Sequence, residues 1–150
     1  MRSAEIRNVT NYENCTIIEP CNLYDCELGK NVFVGPIDEI QGNVVIGANS
    51  RIQSHSFICS NTIIGHDCFI GHGVMFVNDK FKGGMRANGD NSKILRTKIG
   101  NNVLVGSGVT LLPVEICSGV TIGAGSVVTK SIDKPGIYFG NPARKYEGTL

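Results

Sequence analysis

Nine bulky residues stand six apart without a slip: Leu28, Val34, Ile40, Ile46, Ile52, Ile58, Ile64, Ile70 and Phe76. Glycine follows directly at Gly29, Gly35, Gly47, Gly65 and Gly71. Two residues before each bulky position runs a second column of smaller ones: Cys26, Val32, Asp38, Val44, Ser50, Ser56, Thr62, Cys68 and Val74. Asp38 is the misfit in that column. A period of six matches neither an amphipathic helix nor the two-residue alternation of a half-buried strand. It matches a coil with three flat sides, one hexad to a side. The bulky aliphatic then points inward, and the small residue fills the tight space beside each corner. Eighteen residues complete a turn, so Ile46 is expected to lie on Leu28 and Ile64 on Ile46. Such a repeat specifies a solenoid, in which each rung buries its inner face against its neighbours. A sandwich of evenly spaced short strands is the competing architecture, and nine residues in one register argue against it.

The 150 residues fit a single domain spanning 1–150. A formal charge of +1 gives no global basic bias toward nucleic acid or membrane surfaces. No apolar run reaches transmembrane length, and the opening MRSAEIRNVT lacks the apolar core of a signal peptide. Cys26 and Cys68 fall in the small interior column, and Cys15, Cys21, Cys59 and Cys117 show no paired metal-ligand spacing. These are read as reduced thiols in a cytoplasmic protein.

Residues 1–16 read as a lead-in that closes over the first rung. The coil then begins irregularly, with Ile18, Leu23 and Leu28 five apart. The pattern stops after Val77. Residues 78–96 are polar, hold Gly83, Gly84 and Gly89, and carry Lys80, Lys82, Arg86, Lys93 and Arg96. A stretch of that length cannot pack as a rung, so it is expected to leave the coil as a long extruded loop, functional or merely tolerated. The register resumes at Ile99, Val105 and Leu111, loses one residue at Leu112-Pro113, and continues through Ile116, Ile122 and Val128. Tyr138 and Phe139 read as a last strand before a short tail, GNPARKYEG.

The hexads, the extruded loop and the ending IGAGSVVTKSI…GNPARK resemble the hexapeptide-repeat acyltransferases. That resemblance implies an all-β fold, a left-handed parallel β-helix with one extruded loop. Within the group, FIGHGVMFVNDKF at residues 69–81 is similar to the sugar-nucleotide N-acetyltransferases of surface-polysaccharide (lipopolysaccharide, O-antigen) pathways. The resemblance implies acetyl transfer from acetyl-CoA to an amine, by default the 3-amino group, of a nucleotide-linked deoxy or uronic sugar. It also implies a homotrimer with sites between subunits. The loop departs from the family where Phe81, Lys82 and Gly83 stand in place of tyrosine, proline and arginine. The histidine that many O-acetyltransferases carry at the loop's start is replaced by Asn78-Asp79. This favours an amine acceptor, which needs only to be neutral, positioned and relieved of a proton.

Asn78, at the mouth of the loop, is the first catalytic candidate; the alternative is a polar residue ending the last regular rung. Asp79 and Lys80 are candidate sugar contacts, with a turn-capping role for Asp79 as the alternative. His55 and His72 are expected on one corner, where either could take the amine's proton or simply stand exposed. His66 with Asp67 stands in the register of the histidine–acid pair of the 4-amino-sugar acetyltransferases, and a requirement for His66 would point to that subgroup. For acetyl-CoA, the resemblance implies pantetheine beside the small residues Gly106, Ser107, Gly123 and Ala124. Lys130, Arg144 and Lys145 would meet the phosphates. No metal is expected. A carbonic-anhydrase-like enzyme would need three converging histidines, and His66 lies one hexad from His72. An O-acetyltransferase and a non-catalytic scaffold are the remaining readings.

Overall fold

The computed structural model describes residues 5–148, which wind as a parallel β-solenoid with three faces. Face one stacks seven strands, from Ile6–Arg7 to Val127–Val128; face two stacks five, from Glu27–Leu28 to Glu115–Ile116; face three stacks eight, from Thr16–Ile17 to Arg144–Lys145. The chain passes from face one to two to three and back to one. Most strands are two residues long, the outer residue facing solvent and the inner one the core. Ile46 pairs in register with Leu28 and Ile64 with Ile46, as the six-residue period requires.

The interior holds both predicted columns. Every bulky residue from Leu28 to Phe76 is buried, as is every small one from Cys26 to Val74. Each corner takes four residues, and the third carries positive φ: Asn43 at 59°, Asn49 at 61°, His55 at 66°, Asn61 at 65°, Asp67 at 56° and Gly73 at 64°. Asn, Asp and Gly tolerate that region best, hence their recurrence. Ile37, at 63°, is the β-branched exception. The glycine opening a corner answers a different need. A Cβ on Gly47 would sit 2.5 Å from the carbonyl carbon of Gly65 on the next rung, so a side chain there would force the rungs apart.

Three sequence expectations are corrected. Residues 6–17 are part of the coil: Ile6 and Arg7 pair with Leu23 and Tyr24, and Ile17 with Val34. Residues 1–4, the rest of the expected lead-in, lie outside the described residues. The inward residue of that first turn is Ile17, whereas Ile18 is 40% exposed, so the five-residue step falls only between Leu23 and Leu28. The cause is a corner one residue short. At the other end the tail turns back, and Arg144–Lys145 pairs antiparallel with Tyr138 and Phe139. That hairpin covers the last rung of face three, as terminal repeats must cap the stack. The expected loop is present, between Met75–Phe76 and Lys98–Ile99, and holds two short 3-10 turns. All six cysteines are unpaired. No helix among the described residues is long and apolar enough to cross a membrane.

Asp38 shows what the small column does. Ser50 Oγ accepts from Cys68 N at 3.0 Å and donates to Gly65 O at 2.9 Å, tying one rung to the next. Ser56 does the same with Val74 N and Gly71 O. Asp38 Oδ1 accepts from Ser56 N at 2.7 Å, but its Oδ2 is buried without a partner. Burial pushes its pKa up to about 7, with the Ser56 amide pulling the other way. Below the unfolded value of 3.8 both states hold the proton. Between there and about 7 the unfolded chain gives up its proton first, so stability falls across that window and is level above it. Asp38→Ser should therefore raise stability by roughly 4 kcal/mol at pH 8 and much less at pH 4, read by urea unfolding. An equal gain at both pH values would show that ionisation of Asp38 is not the cause.

Candidate functional site

The three histidines and Asn78 sit on the corners, where the turns demand Asn, Asp and Gly, whereas Arg144 and Lys145 stand on a strand of face three. On the corner between faces two and three, His66 Nδ1 lies 2.6 Å from Asp67 Oδ2. The two side chains are 51% and 44% exposed. The His66 backbone amide is fixed by Asn101 Oδ1 at 3.0 Å. The hydrogen bonds from His66 and then Asn49 hold the Asp67 carboxyl below the usual carboxylate range. An ionised Asp67 accepts from Nδ1–H, which leaves Nε2 as the ring nitrogen with a free lone pair.

His55 and His72 do share a corner, the one between faces three and one, on successive rungs. His72 Nδ1 is 2.9 Å from Ser54 Oγ, and its backbone amide donates to Ser107 Oγ at 3.3 Å. Neither histidine has a carboxylate partner among the described residues. His66 stands on a different corner, as the hexad count requires.

Asn78 and Asp79 stand on the third corner, between faces one and two. Asn78 Nδ2 donates to Ser60 Oγ at 3.0 Å, and its carbonyl accepts from Leu95 N at 2.8 Å, closing the loop's base. Asp79 clasps the loop: Oδ1 accepts from Phe81 N at 2.8 Å and Oδ2 from Ala87 N at 2.6 Å. Both oxygens therefore have backbone partners, the capping role that sequence left as an alternative. Lys80 is exposed beside it.

Gly106 and Gly123 are glycines for stacking. A Cβ on Gly106 would lie 2.5 Å from Ala124 N, and one on Gly123 2.8 Å from Phe139 Cβ. The open positions of that corner are Gly108 and Gly125, with φ of 70° each and nothing within 4 Å of an added Cβ. Ser107 and Ala124 are exposed between them. Lys130, Arg144 and Lys145 are exposed, the last two on the terminal strand of face three. A depression of about 510 Å³ at the end of face two is lined by Lys98, Glu115, Ser118 and Asp133, and no sequence-predicted site residue reaches it. Sequence reasoning passed over Gly108, Gly125 and the asparagines beneath Asp67, although Asn31, Asn49 and Asp67 recur at intervals of eighteen.

Comparisons with known proteins agree with the solenoid fold. A model described as the bacterial transferase hexapeptide (six repeats) matches residues 43–78, and one described as the hexapeptide repeat of succinyl-transferase matches residues 96–130. Both matched stretches are similar to the repeats of hexapeptide transferases. Among curated proteins, the bifunctional protein GlmU of Buchnera aphidicola is 29% identical over 98% of this chain and 32% of its own length. The chain thus spans about a third of that relative. Among solved structures, a hexapeptide transferase family protein from Anaplasma phagocytophilum superposes with a TM-score of 0.76 at 19% identity, over 100% of this chain and 87% of that one. A mutant perosamine N-acetyltransferase from Caulobacter crescentus, in complex with CoA and GDP-perosamine, gives 0.68 at 18% identity, over 97% and 58%. Both likenesses are of fold.

The clasp has a direct test. Asp79→Ala should leave the coil's melting temperature nearly unchanged, since the loop contributes little to the core. Tryptic cleavage after Lys80, Lys82 or Arg86 should quicken about tenfold, the scale of one or two lost charge-assisted bonds. Unchanged cleavage would mean that other contacts hold the loop.

Proposed function

We propose that this protein is an acetyl-CoA-dependent N-acetyltransferase acting on the amino group of a nucleotide-linked deoxy or uronic sugar. The carrying observation is the 2.6 Å contact of His66 with Asp67 on an exposed corner of a hexapeptide solenoid. The substrate class is further supported by a neighbour of the same fold that binds CoA and GDP-perosamine, a nucleotide amino sugar.

Acetyl-CoA supplies the acetyl group as a thioester: the amine nitrogen bonds to the carbonyl carbon, the carbon–sulfur bond breaks, and CoA leaves as the thiol. His66 Nε2 takes the proton that the amine sheds and returns it to the departing sulfur. Asp67 keeps the imidazole in the tautomer that leaves Nε2 open and stabilises the imidazolium. Asn78, whose Oδ1 accepts no hydrogen bond among the described residues, and Lys80 would meet the sugar. Ser107, Gly108, Ala124 and Gly125 give the pantetheine an unobstructed corner. Arg144 and Lys145 enter none of the ion pairs among the described residues and are the proposed phosphate partners, with Lys130.

Within one chain the three candidate corners lie apart, which supports a homotrimer whose sites combine corners of different subunits. Exposed Phe69, Leu104 and Phe139 on face three offer apolar contact for it. Six unpaired thiols support a reducing, cytoplasmic setting. The same histidine–acid pair favours a 4-amino acceptor over the 3-amino one, because that pair is the feature of the 4-amino-sugar enzymes that this stretch resembles.

Thiol release from acetyl-CoA should be measured against nucleotide-linked 4-amino and 3-amino sugars, with maltose as a hydroxyl control. Release with an amino sugar, lowered about 10²–10⁴-fold in His66→Asn while CoA still stabilises the variant to heat, is the expected result. Release with maltose alone would make the protein an O-acetyltransferase. Full activity in His66→Asn would remove the pair from the chemistry.

A further inference from the structure

The corner that carries His66 is stacked on a ladder of side-chain amides. Asn14 Nδ2 donates to Asn31 Oδ1 at 2.6 Å, Asn31 Nδ2 to Asn49 Oδ1 at 3.0 Å, and Asn49 Nδ2 to Asp67 Oδ1 at 3.1 Å. All four residues hold positive φ, between 52° and 61°, at equivalent places on successive rungs. Every amide points its N–H₂ the same way, toward the carboxylate. The ladder ends there: Asp67 Oδ2 turns to His66.

We propose that Asn49 is a positioning residue for the His66–Asp67 pair, and that Asn31 and Asn14 orient it in turn. This rests on the function proposed above and deepens it. Left to itself, a half-exposed aspartate samples several rotamers and both faces of its carboxylate. A donor on Oδ1 anchors one edge and leaves Oδ2 directed at Nδ1. Because the amides are aligned head to tail, each polarises the next, so the last N–H in the series is the strongest donor. The titratable groups facing Asp67 are His66 and the buried Cys68 thiol on its own corner. The stacked corners, residues 47–50 and 100–103, contain no ionisable side chain.

Asn43 provides a matched control. It has φ of 59°, and its Nδ2 donates to Asn61 Oδ1 at 3.4 Å on the corner between faces one and two, far along the coil's circumference from His66. Glycine keeps the positive-φ backbone of either position while removing the amide. In Asn49→Gly the Asp67 carboxyl, followed by carbon NMR, should titrate about one pH unit higher, the scale of one lost hydrogen bond to a charge. The kcat should fall about tenfold with the KM for acetyl-CoA unchanged. Asn31→Gly should give a smaller shift in the same direction, and it decides the question if Asn49→Gly does not fold. Asn43→Gly should move neither readout. An unmoved Asp67 titration in a folded Asn49→Gly, or an equal shift in Asn43→Gly, overturns the proposal. The titration needs no substrate, so it stands or falls separately from the proposed activity.

Discussion

Close stacking of one rung on the next, 18 residues apart along most of the coil, is the constraint on which everything else depends. It sets the inward column of Val, Ile, Leu and Phe, since only those shapes fill the prism between strands of two residues. Burying each such side chain contributes on the order of 1.5–3 kcal/mol, repeated rung after rung. It also dictates glycine where the chain leaves a face, as at Gly47, whose missing side chain would strike the rung above. The positive-φ residue two places later is the second half of the same turn. Packing and turn chemistry therefore specify one geometry together, and the coil has little freedom to adopt another.

That geometry decides where polar groups can go. Inside, the few that remain must bridge rungs, as Ser50 and Ser56 do with both hydrogen-bonding directions satisfied. Asp38 bridges with one oxygen only, and the other makes it a buried acid that ionises near neutrality. Outside, the corners stack equivalent side chains at rung spacing, so chemistry on one rung is supported by the rungs beneath it. His66 inherits a carboxylate partner and a row of amides from this arrangement. His55 and His72, on a corner populated by Ser and Gly, do not.

The solenoid was legible because its signal is a strict period, and the two interior columns lie where the hexads place them. The ends were less legible. Ile17 and Ile18 are equally apolar neighbours, and only the pairing of Ile17 with Val34 tells which points inward. The candidate site was legible as residue types and not as partnerships. Asp79 reads equally well as a ligand or a cap until both its oxygens are seen on loop amides. Gly106 and Gly108 are indistinguishable by composition, yet one faces the next rung and the other open space. The amide ladder was present in the sequence as the 18-residue recurrence of Asn31, Asn49 and Asp67, outside the two interior columns that the hexads define.

The most direct test is the structure of the protein with CoA and a nucleotide-linked amino sugar bound together. The acceptor nitrogen is expected within about 3 Å of His66 Nε2, hydrogen-bonding distance for a general base. An acceptor nitrogen seated instead beside His55 and His72, or held by Asn78 with His66 remote, would contradict that expectation.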